Sequence, residues 1–199
     1  LLFMNVKKMI VMICAIGFFV ASCKKDPIGT QKTPCITANP DFFSLYSVTT
    51  QNQQCIDQHM YDSEVHSYSF EVIVPKTICS IGYQSQPALS QTPYLFEIWD
   101  SIANTIVYSG SHVFSATAMS YASIPPLSLI PNHTYTVKRI QTNYTMFNEI
   151  IGRIIHKPQF QQMQFPIMQG SLKITSSRFY GNAGLLIDRA IPCIDIVYQ

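Results

Sequence analysis

A clean alternation of apolar and polar residues runs through HSYSFEVIV, His66 to Val74, with Tyr68, Phe70, Val72 and Val74 on one side and Ser67, Ser69 and Glu71 on the other. Period two marks a half-buried β-strand, and Pro75 ends it because proline has no backbone donor. Similar short runs follow: ICSIGYQ from Ile78, YLFEIWD from Tyr94, TIVYSG from Thr105, HVFSAT from His112, the stretch Thr134 to Ile140, then GRIIHK, SLKITSSRFY and CIDIVY. They are rich in Val, Ile, Thr, Tyr and Phe, which suit a pleated surface. Asn104 and the Pro131-Asn132 pair fall between runs, where a turn needs a residue that tolerates positive φ. No long helical pattern stands out. Roughly nine or ten short strands at such spacing predict an all-β fold of two packed antiparallel sheets, a β-sandwich of jelly-roll type.

The N-terminal pattern is different. Lys7 and Lys8 precede an unbroken apolar stretch, Met9 to Val20, then the small pair Ala21-Ser22 and Cys23. That order is the n-region, h-region and processing site of an export signal. As a helix, its roughly 12 apolar residues span about 18 Å, well short of the ~30 Å hydrocarbon core of a membrane. Val20-Ala21-Ser22-Cys23 resembles the lipobox of bacterial lipoproteins, which implies cleavage before Cys23 and a diacylglycerol on its thiol. Lys24 is not the aspartate that retains some lipoproteins in the inner membrane, so the resemblance implies the outer membrane of a Gram-negative bacterium, leaflet undecided. Leu1 to Phe3 precede the first methionine, Met4, and read as an over-extended frame. Lys24 to Pro40 holds three prolines, one glycine and small polar residues, the composition of a flexible tether. The expected organisation is therefore a signal peptide over 1–22, a lipid-anchored tether over 23–40 and one sandwich domain over 41–199.

The net charge of +2 is carried entirely by Lys7 and Lys8, so the chain beyond the signal is formally neutral. Its basic residues are scattered, with Lys138-Arg139 the one pair beyond the tether, which argues against nucleic acid as a partner. No nucleophile elbow, phosphate-binding glycine loop, H-E-x-x-H or paired C-x-x-C is present, so neither an enzyme nor a cofactor is expected.

The runs YSFEVIVPKTICSIGYQ, YLFEIWDSIANTIVYSG, LSLIPNHTYTVKRI, FPIMQGSLKITSSRFYG and IPCIDIVY together resemble a bacterial extracellular domain family of unknown function. The likeness covers about Phe70 to Tyr198 and departs from the family at Asn104, where glycine is usual, and at Tyr121, in place of tryptophan. It implies a sandwich akin to sugar-binding ones, carried on the cell envelope.

Several residues are candidates for chemistry. In CIDQHMYDSEVH, Asp57, Asp62 and Glu64 offer carboxylates to a cation such as calcium, or form a solvated loop ahead of the next strand. Beyond Cys23 the cysteines are Cys35, Cys55, Cys79 and Cys193. Sequence favours Cys35–Cys55 and Cys79–Cys193 bridges, with buried reduced thiols as the other reading. Sugar rings stack on flat aromatics while amides and carboxylates read their hydroxyls. Trp99 and Glu97 share one face of their strand, opposite Phe96 and Ile98, and either set is the inner one. With Phe96 and Ile98 inside, Trp99 and Glu97 face out, and Tyr83, Tyr94, Tyr121 and Tyr144 are expected to join them, with Gln84, Gln86 and Asn143 as polar readers. Asp100-Ser101-Ile102 resembles a short O-glycosylation acceptor motif, with Ser101 as the acceptor. The expected function is a non-catalytic carbohydrate-binding or adhesion module. The alternative is a structural or partner-binding envelope protein, marked by a sizeable exposed apolar patch.

Overall fold

The computed structural model describes Cys35 and residues 38–61, 63–144, 151–182 and 184–199. The signal segment, Cys23, Asp62 and most of the expected tether lie outside these residues. Among these residues one α-helix, α1 (Pro40–Asn52), is followed by thirteen strands: β1 (Ile56–Tyr61), β2 (Val65–Val72), β3 (Lys76–Tyr83), β4 (Tyr94–Asp100), β5 (Thr105–His112), β6 (Ser120–Leu129), β7 (Tyr135–Gln141), β8 (Ile151–His156), β9 (Ile167–Gln169), β10 (Leu172–Gly181), β11 (Gly184–Ile187), β12 (Ala190–Pro192) and β13 (Asp195–Tyr198).

The chain is an all-β sandwich. One layer is a seven-stranded antiparallel sheet in the order β11-β10-β2-β7-β4-β5, with β9 pairing the start of β10. The other layer is two three-stranded sheets, β1-β8-β12 and β13-β3-β6. The last stretch of chain serves both, passing from β12 to β13 through Cys193 and Ile194, and the Cys193 N–H still donates to the Arg153 carbonyl of β8. Between the layers, Phe70, Val72, Phe96, Ile98 and Val137 of the large sheet meet Ile78, Ile81, Ile155, Ile191 and Ile196, all fully buried. Each such side chain contributes roughly 1.5–3 kcal/mol by leaving water. Turn chemistry follows the sequence: Asn104 and Asn132 take φ of 52° and 57°.

The helix was not expected. Phe42, Leu45, Tyr46 and Thr49 are its buried residues, one stripe at helical spacing, and Asn39 caps it by accepting from the Asp41 N–H, with Pro40 in the first turn. The folded unit also begins earlier than residue 41. Asn39 donates its N–H to Asp195 Oδ2 at 3.0 Å and its side-chain amide to the Ile196 carbonyl at 2.8 Å. Asp41 Oδ2 accepts from the Ser171 N–H and hydroxyl and from Tyr198.

The expected disulfides are corrected. Cys35 bonds Cys79, with Cα atoms 5.9 Å apart, and Cys55 and Cys193 are buried free thiols. Cys35 and Cys55 flank α1, whose 13 residues rise about 20 Å. Cys79 lies at the register step opposite Val197 and Tyr198, about 13 Å of strand beyond Cys193 and outside disulfide reach.

Candidate functional site

The outward residues of the large sheet form two adjoining rows. In the first, Ser67 of β2 lies between Arg178 of β10 and Lys138 of β7, and Lys138 lies beside Glu97 of β4. In the second, Ser69 lies beside Thr136, and Thr136 beside Trp99. Strand period places them there: Tyr94, Phe96 and Ile98 turn inward, so Glu97 and Trp99 turn outward. On the other side of β4 the register with β5 steps between Ile98 and Trp99, with Val107 the extra residue on β5.

Trp99, Lys138 and Arg178 wall a shallow groove of about 300 Å³ whose floor is Ser67, Ser69 and Thr136. The Trp99 Nε1–H donates to Glu97 Oε2 at 2.7 Å, which fixes the indole plane. The Lys138 ammonium stands 3.9 Å from the indole centroid. The Thr136 hydroxyl meets those of Ser69 and Ser101, each at 2.8 Å, and Ser67 Oγ donates to the Arg178 carbonyl at 3.0 Å. Partial burial lowers the Lys138 pKa; Glu97 opposes that shift and Arg178 adds to it. No carboxylate is among the described residues that line the groove.

The other expected aromatic readers are elsewhere. Tyr83 and Tyr94 are core residues, each 1% exposed, packed edge to face at 5.1 Å. Tyr94 is in phase with Phe96 and Ile98, and β3 is buried on both faces, so neither ring reaches the outer surface. Tyr121 lies on the other layer, where β6 pairs β3. A Cβ on Gly82 would meet its ring at 2.5 Å, so glycine there makes room for it against Asp195. Burial first, then the Asp195 carboxylate, pushes the Tyr121 hydroxyl pKa up. Tyr144 packs partly buried on the core, with its hydroxyl beside Gly181. Of the amides, Gln84 reaches the Ala116 carbonyl, Gln86 is buried capping Ala88, and Asn143 is exposed in a turn. Of the expected readers, Trp99 and Glu97 are joined on the outer face of the large sheet.

The carboxylate candidates do not converge either. Asp57 sits on β1, in what the sequence suggested was loop, and its two oxygens take Arg153 Nε at 3.1 Å and Nη2 at 2.8 Å. The Glu64 carbonyl accepts from the Gln141 N–H, and Asp62 lies outside the described residues. Among the described residues no three metal-ligand side chains cluster. Ser101 is exposed at the groove rim, in a turn held by Asp100, whose Oδ1 accepts from the Ile102 and Ala103 N–H groups and lies 2.7 Å from His133 Nε2. Those backbone bonds, with His133, hold the Asp100 carboxyl below its usual range.

Sequence reading missed Lys138, Arg178 and the hydroxyl floor. Each was visible as the polar phase of a strand, in SYS, TVK and SSR, but which strands adjoin is not written in local pattern. No protein-family model matches the chain, and no curated protein matches it.

Proposed function

We propose that this is a lipid-anchored protein of a Gram-negative cell envelope, in the outer membrane, whose sandwich is a non-catalytic carbohydrate-binding module working through the Trp99 groove. The lipobox-like Val20 to Cys23 and the resemblance to an extracellular domain family support the location. One observation carries the binding assignment: a half-buried indole, its plane fixed by Glu97, borders a floor of hydroxyls on an open sheet face. Such a mixed lining suits a sugar, whose apolar ring face stacks while its hydroxyls exchange hydrogen bonds. The lining hydroxyls bond one another or a carbonyl instead of a base, which favours holding a ligand over attacking it.

A glycan array on the full chain in mild detergent tests this reading. Binding that disappears in Trp99→Ala supports it, and identical array profiles for the two proteins refute it. For the anchor, Cys23→Ala is expected to abolish incorporation of labelled fatty acid; undiminished labelling contradicts lipidation at that cysteine.

A second reading, docking of a partner protein, is favoured by β11, an edge strand on which Leu185, Leu186 and Ile187 are all exposed next to Tyr180. Leu186→Lys is expected to release a co-purifying partner if that reading holds, and to leave glycan binding unchanged.

A further inference from the structure

Resting on the carbohydrate reading of the Trp99 groove, we infer that its ligand is an acidic saccharide, whose anionic substituent is taken between Lys138 and Arg178. The two cations flank Ser67 on neighbouring strands, so their Cα atoms lie about 10 Å apart, a span that two long side chains close over one anion. Both line the groove, and no acidic side chain among the described residues does. Glu97, beside Lys138 across the β4–β7 pair, is engaged by the Trp99 Nε1–H.

Burial weakens the hydration of Lys138 at the groove. Lys138 is partly withdrawn from water, with Glu97 favouring its charge and Arg178 opposing it, and its ammonium covers one indole face. A carboxylate or phosphate on the sugar offers both cations charge-assisted hydrogen bonds. It also draws the ammonium off the ring, which opens the face on which a sugar stacks. Neutral sugars gain neither effect. The hydroxyls of Ser69, Thr136 and Ser101 remain to read the ring, and the guanidinium of exposed Arg178 offers the forked donors suited to an oxyanion.

The test is calorimetry on the full chain in mild detergent with uronate oligosaccharides, their methyl esters, which keep the ring and lose the charge, and inorganic phosphate. The uronates are expected to bind at least about tenfold more tightly than the esters, and Arg178→Gln to remove most of that difference, about one charged contact. Arg178 is surface-exposed, so the variant folds normally, checked by an unchanged unfolding midpoint. Equal affinity for acid and ester overturns the acidic assignment and leaves the groove as a sugar site. Phosphate alone binding as tightly as the uronates overturns the saccharide part. No binding of acid or ester overturns this inference, and a blank glycan array as well overturns the reading beneath it.

Discussion

Lys138 and Arg139 are neighbours in sequence and stand on opposite faces of β7, each over aromatic rings. Arg139 is 0% exposed, its guanidinium 5.6 Å from the Tyr83 ring and 5.4 Å from Tyr94, and Nη1 donates to the Ser63 and Glu64 carbonyls. Lys138 stands over Trp99 at the open groove. The same pairing of cation and ring is a packing element on the inner face and lines an open groove on the outer one. What separates them is closure: the inner pair is roofed by the second layer, and the outer pair is roofed by nothing among the described residues.

The contrast breaks most visibly under truncation. Arg139→Ala removes a fully buried side chain and strands the Ser63 carbonyl, while the Glu64 carbonyl keeps the Gln141 N–H, so a loss of about 2–5 kcal/mol is expected. Lys138→Ala loses one partly exposed cation–π contact, about 0.5–1 kcal/mol. Urea unfolding midpoints measure both, and equal losses would erase the distinction between the faces. On β4 the same comparison pairs Phe96→Ala, expected to cost about 3–5 kcal/mol, with Trp99→Ala, expected to cost about 1 kcal/mol while removing ligand binding.

Carboxylates extend the comparison to pH. Asp195 is buried in the second layer, and burial raises its pKa to about 7, partly offset by the Asn39 N–H. The folded protein therefore keeps this proton where the unfolded chain has lost it, and stability falls as pH rises from about 4 to about 7. Glu71, on the outer face, is held low by Lys173 and then Thr134, so its smaller contribution is lost as pH falls through its lowered pKa. Asp195→Asn keeps an acceptor for Asn39 and is expected to flatten the slope of melting temperature between pH 4 and 7. An unaltered slope would place the titration elsewhere.

The strands, the inward phase of Tyr68, Phe70 and Val72 and the turn asparagines were legible because strand period and positive φ are local properties. So was the outward phase of Trp99 once Phe96 and Ile98 were inside. Tyr94 shares their phase and was readable as core; Tyr83 was not, because β3 is buried on both faces and alternation carries no signal there. The helix was written in Asn39-Pro40-Asp41 and in the spacing of Phe42, Leu45, Tyr46 and Thr49, but only its start falls in the expected tether and the rest lies in the span expected to be all strand. The disulfide and the Arg178–Ser67–Lys138 row depend on which strands lie side by side, a long-range choice no local pattern records.

Trp99 is the chain's only tryptophan, so its fluorescence reports the groove directly. Titrating the full chain with uronate oligosaccharides is expected to give a saturable change in emission, with the midpoint found by calorimetry, as the ligand takes Lys138 and covers the indole. Saturation seen by calorimetry with tryptophan emission unchanged throughout would contradict the assignment, since the sugar would then bind away from Trp99.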